Sequence, residues 1–474
     1  MTPRRRSSTG RREGAGASAP APSLLPGTPG RGLPARRAAL EVLVRVAKGA
    51  FADVLLGHRL AAFQDPTDRR LITRLVLGTI AWQGRLDYEL AQLSSRGLES
   101  LDSDILAILR LALYQIRMTT RIPPHAAVDT AVTLARMTRG GTGAAGFVNA
   151  ILRSALRQPV PLPDRSRDEV GYLAVACSHP RWMVERFVTW FGITAAEALM
   201  AANNEAAPNV IRLNLARGDP LELIEQLRDE GIEATPSCHL PETAILANAP
   251  VLESRAMRDG RCYLQSEASQ LAAAMLAPER EATVVDCAAA PGGKTTHLAE
   301  MVGREGRVVA LDISRSGLRK VNSIATMLGH HNIATIQADC AAAMPCRPAS
   351  LSYVLLDAPC TGSGTLREHP EIRWRLDAHD FARMAVLQGR MLDQAAMLLR
   401  PNGTIVYSVC SVAPDEGEGV VMSFLEQHRD FVVDRTPTSD RRFVGLIGDD
   451  GFMRTRPDQG GLDGFFAARL TRID

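Results

Sequence analysis

The chain lacks most of the features that would place it quickly in a membrane, secreted or fibrous class. Its 474 residues contain no run approaching ~20 uninterrupted apolar positions, so no spanning helix is expected. Aromatic residues are scarce, at 5%, and the net charge of +3 is close to balance. Any basic footprint must therefore be local. No C-x-x-C pair occurs, and Cys340 and Cys346 have no matching histidine cluster, which argues against a metal site and against a disulfide scaffold. The eight cysteines are expected to be reduced, mostly as small buried hydrophobes, in a cytoplasmic chain. G-x-G-x-x-G is absent. The P-loop pattern fails as well: Gly293-Lys294-Thr295 supplies its end, but Ala288 stands at the first glycine position. What is present, 46% hydrophobic and 23% charged residues, is the composition of a soluble globular protein, and the length implies two or three domains.

Residues 1–33 are rich in Arg, Ser, Gly, Ala and Pro and cannot build a core. A disordered basic tail is expected there, in preference to a targeting peptide. Its Arg4–Arg6 and Arg11–Arg12 suit non-specific phosphate contacts, or no contact at all. Residues 34–157 read as all-helical. Ile72, Leu75, Val76 and Ile80 recur at helical spacing, as do Ile105, Leu109, Leu113 and Ile116, and Val148, Ile151, Leu152 and Ala155. Arg69, Arg70, Arg74, Arg110, Arg117, Arg121, Arg153 and Arg157 lie between these stripes. They form either a solvated face or a surface for RNA backbone.

Residues 158–265 open with a linker rich in Pro, Asp and Arg. A helix near 180–191 carries Trp182, Phe187 and Trp190, read as packing residues. A small α+β unit follows, with a strand at 210–215 and a helix at 220–230 stopped by Gly231. Over residues 266–474 strands alternate with helices, the sign of a parallel sheet. The expected strands are 283–287, 307–313, 334–340, 352–357 and 404–410. Ligands of such sheets bind beyond the carboxyl ends of the strands.

The first of these strands runs into Ala288, Ala289, Ala290, Pro291, Gly292 and Gly293, and a helix opens near Lys294. Small residues let a ligand approach the backbone, and a helix N-terminus offers unpaired N–H groups. Asp312 ends the second strand roughly 20 residues on, where an acid can accept hydrogen bonds from a ribose diol. With no pyrophosphate fingerprint, an adenosine ligand without phosphates fits best: S-adenosyl-L-methionine. Asp339, at the third strand end, would hold the adenine amino group; either acid could equally be a helix cap. Cys360 and Cys410 also fall at strand ends. Two thiols facing one cofactor suggest nucleophilic work on a pyrimidine. Cytosine C5 is a weak nucleophile until a thiolate adds at C6.

The stretches DCAAAPGGKT, LD at 311–312, AD at 338–339, DAPCTGSG, REHPEIRW and SVCSVAPDE together resemble the RNA cytosine-C5 methyltransferases that carry two motif cysteines. The helical N-terminal part resembles NusB-type RNA-binding domains. The combination resembles the Sun/Fmu-type enzymes of small-subunit ribosomal RNA, over about residues 34–474. The resemblance implies an all-α NusB-like domain, a small α+β linker domain and a Rossmann-like class I methyltransferase domain. It further implies Cys410 as the nucleophile on C6, with Cys360 assisting proton removal or adduct release. Ala288 to Lys294 would wrap the methionine end of the cofactor, Asp312 its ribose and Asp339 its adenine. Asp357 would lie between cofactor and base, or merely support its own turn. Residues 367–374 would form a substrate-side loop. The sequence departs from the family in having Cys287 one place early, with Ala288 in its stead, and Val409 where a Thr commonly precedes the nucleophile. An RNA partner, no membrane and a monomer are expected. The alternatives are a transfer-RNA methyltransferase with the same core and a non-catalytic RNA-binding assembly factor.

Overall fold

The computed structural model describes residues 32–247 and 251–473. The basic tail read at 1–33 lies outside the described residues, except for Gly32 and Leu33. Seven α-helices then follow: Leu33–Val46, Ala52–Leu60, Pro66–Ala81, Gln83–Leu93, Ser103–Met118, Pro124–Arg136 and Gly141–Arg157. Local chemistry sets their starts. Asp65 accepts the Thr67 N–H at 2.7 Å and Pro66 occupies the first position, so the third helix begins there. Ile72, Leu75, Leu109, Leu113, Val148 and Leu152 are fully buried in the shared core. Each such side chain contributes about 1.5–3 kcal/mol by leaving water.

Several arginines between the stripes are committed to this fold. Arg110 grips Asp87 through two bonds of 2.6 and 2.7 Å. Arg117 donates to Glu89 at 2.8 Å and to the Ala155 carbonyl at 2.7 Å, and Arg69 pairs with Glu253. Arg70, Arg121, Arg153 and Arg157 are exposed.

Three helices lead out of the bundle: Glu169–Ala176, Arg181–Phe191 and Ile193–Ala202. The first and third are not anticipated by the sequence reading, because GYLAVA and the Ala-rich third segment show no clear apolar stripe. Phe187 is fully buried, and Trp190 meets Phe381 edge-on with centroids 5.2 Å apart. These aromatics pack. A small antiparallel sheet comes next, formed by β1 (Asn209–Leu213), β2 (Ala234–Pro236), β3 (Thr243–Leu246) and β4 (Cys262–Leu264) in the order β2-β3-β1-β4. The helix Pro220–Asp229 covers it. Gly231, at φ 76°, takes the left-handed conformation that ends this helix.

The last sheet has eight strands: β5 (Thr283–Cys287), β6 (Arg307–Asp312), β7 (Ile333–Gln337), β8 (Leu351–Asp357), β9 (Leu399–Val409), β10 (Phe431–Val433), β11 (Met453–Thr455) and β12 (Phe465–Arg472). The order is β10-β12-β9-β8-β5-β6-β7, with β11 paired to β12. β5 through β9 pair in parallel. The sheet is mixed rather than wholly parallel, because β12 runs antiparallel to β9 and sets Phe466 opposite Val409. β7 stops at Gln337, three residues short of the expected end. It is an edge strand with three of its five residues exposed, and Asp339 accepts the Ala341 N–H at 2.9 Å, which turns the chain away. Asp339 and Cys340 therefore follow the strand instead of ending it. From β5 the chain steps outward to β6 and β7, then crosses back to β8 and β9. The carboxyl ends of β5 and β8 thus flank the switch point. Among the described residues no helix is long and apolar enough to cross a membrane.

Candidate active site at the switch point

β5 delivers the turn. Ala288 has a left-handed φ of 60°, the Ala290–Pro291 bond is cis, and Gly292 sits at φ 119°. A Cβ on Gly292 would lie 3.0 Å from the Val321 Cα, so the close approach of that helix needs glycine. The helix Gly293–Val302 follows, and no side chain caps its N-terminus. Asp312 grips the turn from the side. Its Oδ2 accepts the Ala290 N–H at 2.9 Å, and its Oδ1 accepts the Ser314 N–H at 2.7 Å.

Asp286, unmarked in the sequence reading, anchors this turn from beneath. It is buried within β5 and accepts the Thr295 hydroxyl at 2.5 Å. Burial pushes its carboxyl up to about 7, against the hydrogen bond from Thr295. An acid inside an apolar strand was the available signal. Arg212, 1% exposed on β1, reaches across to donate to the Gly293 carbonyl at 2.6 Å and to the Thr296 hydroxyl at 2.8 Å. The small sheet therefore holds the first turn of the helix.

Lys294 points toward β8. Its Nζ lies 2.8 Å from Asp357 Oδ2 and 2.7 Å from Ser269 Oγ, above the Phe465 ring. The Ser408 hydroxyl donates to the other Asp357 oxygen at 2.8 Å. The carboxylate at the end of β8 is thus fixed from the helix after β5 and from β9.

Beyond Asp357 the chain enters Ala358–Cys360, and beyond Val409 it enters Cys410. The two sulfur atoms are 3.2 Å apart. Both cysteines are half-buried. The sulfur contact with Cys410, burial and nearby negative charge together push the Cys360 thiol well up from its ordinary value. The loops carrying the thiols are joined: the Gly364 N–H donates to the Cys410 carbonyl at 3.1 Å, and Glu416 bonds to both Thr361 and Ser411.

The stretch 367–374, expected to face the substrate, divides: Arg367 pairs with Asp463 at 2.7 Å, and residues 371–374 pack against the helical bundle. Arg373 is fully buried and donates to the carbonyls of Ser178, Asn203 and Leu366 at 3.0–3.2 Å and to Asn204 Oδ1 at 2.7 Å. Trp374 donates to the Ile80 carbonyl at 2.8 Å, and Glu371 accepts the Ala52 N–H at 2.9 Å. Apolar shape and unpaired carbonyls on the bundle offer this segment more than water does.

Turn, Lys294, Asp357, Cys360 and Cys410 form one constellation, with Asp312 at its flank. Asp339 is exposed on the connection after β7, next to Ala338, whose N–H donates to the Asp312 carbonyl at 3.0 Å. Strand order and site together define a doubly wound methyltransferase domain carrying two thiols. Comparison with known proteins makes this specific. Residues 273–471 match the family described as 16S rRNA methyltransferase RsmB/F. Residues 33–157 match the NusB family, and 179–252 match the ferredoxin-like domain of RsmF/B-like methyltransferases. A probable ribosomal RNA small subunit methyltransferase B of Bacillus subtilis is 32% identical over 451 residues, covering 92% of this chain and 98% of that protein. The ribosomal RNA small subunit methyltransferase B of Pseudomonas putida is 34% identical, covering 86% and 92%. The crystal structure of PH0851 superposes with a TM-score of 0.80 at 26% identity, over 92% of this chain and 98% of that one. NSun6 from Pyrococcus horikoshii, solved with SFG, shares the fold at a TM-score of 0.57 and 22% identity, over 62% of this chain and 98% of that one. The chain belongs to the RsmB/F family of ribosomal RNA small subunit methyltransferases. Its cofactor is S-adenosyl-L-methionine.

Proposed function

We propose that the protein methylates C5 of a cytosine in small-subunit ribosomal RNA through a transient bond between Cys410 and C6. The 3.2 Å contact between Cys360 and Cys410 carries this reading. Methyl transfer to a ribose or to an exocyclic nitrogen needs no thiol, whereas transfer to C5 needs one that adds and a means to remove a proton. Two adjoining sulfurs beside a fixed carboxylate supply that set.

The residues at the turn fit the cofactor. The uncapped N-terminus of Gly293–Val302 suits its carboxylate. In this reading residues 288–294 surround the methionine end, Asp312 takes the ribose hydroxyls and Asp339 the adenine edge. S-adenosyl-L-methionine supplies an electrophilic methyl group. The Cys410 thiolate attacks C6, which makes C5 nucleophilic. After C5 has taken the methyl, its proton leaves and the sulfur–C6 bond breaks. Once the Cys410 sulfur is bonded to C6, Cys360 is relieved of its contact and charge, gives its own proton to solvent and takes the C5 proton, and elimination returns the Cys410 thiolate. Asp357, pinned by Lys294 and Ser408, orients the pyrimidine ring. The target base must be unstacked for C6 to be reached. The functional units accordingly divide near residues 157 and 265, with the helical bundle contacting RNA.

The test uses labelled cofactor and ribosomal RNA. Cys410→Ala should abolish transfer, and retained transfer removes Cys410 as nucleophile. Cys360→Ala should accumulate a covalent RNA–protein species on denaturing gels. Bisulfite mapping of the RNA with and without the gene identifies the cytosine.

A further inference from the structure

Glu416 has no exposed surface. Among the described residues no lysine, arginine or histidine pairs with it. Its carboxylate accepts the Thr361 N–H at 2.8 Å, the Thr361 hydroxyl at 2.5 Å, the Ser411 hydroxyl at 2.5 Å and the Gln388 amide at 3.0 Å. All four partners are donors, the complement that an acceptor-only group requires. The bonds fall on the residues directly after the two cysteines. Thr361 follows Cys360, and Ser411 follows Cys410. Gln388 also donates to the Pro359 carbonyl at 2.9 Å, which grips the residue before Cys360. Ser363 adds a bond of 2.8 Å to Ser411, from one cysteine loop to the other. The Tyr407 hydroxyl holds the Glu416 carbonyl at 2.5 Å, which fixes the glutamate itself.

We propose that Glu416 is the positioning residue of the reaction, a buried carboxylate that locks the Cys360 and Cys410 loops in register and so sets the distance between the two sulfurs. This role rests on the thiol mechanism proposed above. Burying a carboxylate without a cation is costly, and a neutral amide, with one acceptor oxygen, could not accept all four donors. The charge has an effect of its own: its field adds to those of burial and Cys410 in holding the Cys360 thiol well up. Glu416 thereby favours the arrangement in which Cys360 keeps its proton and Cys410 supplies the lone pair. Glu416 touches neither substrate nor cofactor in this scheme; it acts through the thiols.

The test reads sulfur proximity without RNA or methyl transfer. Diamide takes two electrons and two protons from neighbouring thiols, which join as a disulfide. In the full-length protein, closure of a Cys360–Cys410 disulfide is followed by peptide mass spectrometry. Loss of the charge in Glu416→Gln lets the Cys360 thiol fall, which by itself would speed closure, so the expected slowing of closure by about tenfold reads the loss of register between the loops. The same variant should lose about 100-fold in kcat with KM for RNA and cofactor within about twofold. A folded Glu416→Gln protein with closure rate and kcat within about twofold of the parent overturns the proposal. If that variant does not fold, Ser411→Ala takes its place. It removes one bond and leaves the carboxylate buried, and it should slow both readouts in the same direction. Unchanged values in Ser411→Ala then overturn the proposal. Because closure is read without the reaction, slow closure alongside an active Cys410→Ala protein would sink the thiol mechanism and leave the loop lock standing.

Discussion

Lys294 and Asp357 lie 2.8 Å apart, one on the first turn of the helix after β5 and the other at the end of β8. The contact crosses the switch point of the sheet. It ties the cofactor turn to the strand that leads into Cys360. A double-mutant cycle should register the link. Lys294→Met and Asp357→Asn should each lower kcat/KM, and the pair should lose less than the sum, with a coupling of about 1–2 kcal/mol. Strict additivity in the cycle would separate the lysine from the function of the aspartate.

Asp286 predicts a pH dependence of stability. Its carboxyl is raised from 3.8 to about 7 in the folded chain by burial. A raised folded value means that its stabilising contribution is complete below the unfolded value and is lost as pH climbs through the folded one. Stability should therefore fall between about pH 4 and pH 7, by at most about 4 kcal/mol. Asp286→Asn should flatten that slope in urea titrations at a series of pH values. An unchanged slope would show that other groups set it.

Arg373 predicts how the bundle is docked. It joins the loop after the Cys360 motif to Ser178, Asn203 and Asn204, and Trp374 beside it bonds to Ile80. Arg373→Met leaves several buried carbonyls without donors, at a cost of about 3 kcal/mol. Thermal melting should drop by several degrees, and limited proteolysis should open the connection between bundle and sheet. Parental melting and cleavage patterns would contradict the docking role.

Gly364 predicts a steric limit. A Cβ there would run into the Gly464 carbonyl, while the Gly464 N–H donates to the Gly364 carbonyl at 2.8 Å. Gly364→Ala should push the Cys360 loop from the start of β12 and cost about 1–3 kcal/mol. Activity should fall further than stability alone explains, because the same residue holds the Cys410 carbonyl. Melting curves and methyl transfer on one preparation check both.

The parts legible in the sequence are those governed by short-range chemistry. The apolar strand, small-residue turn and helix at 283–298 were readable because a few consecutive residues decide them. The helical bundle was readable from its 3.6-residue stripes. The strand before Asp339 was read too long because β7 is an edge strand, where an Asx turn competes with the ladder. The substrate-side assignment of the REHPEIRW stretch came from the family resemblance and said nothing of its packing. Its Arg373 and Trp374 satisfy the carbonyls of Ala81 and Ile80 in the distant bundle.

By itself, then, the sequence determined the order of the units, the position of the cofactor turn and the presence of two thiols just past apolar strands. Tertiary structure alone decided that Cys360 and Cys410 touch across 50 positions of chain, that Lys294 meets Asp357, and that Glu416 holds both thiol loops. The reason is physical. Turn and helix formation depend on neighbours a few residues away, whereas contact between two strand ends depends on strand order. That order is fixed by how β8 and β9 pair and by how the crossover helices pack on the completed sheet.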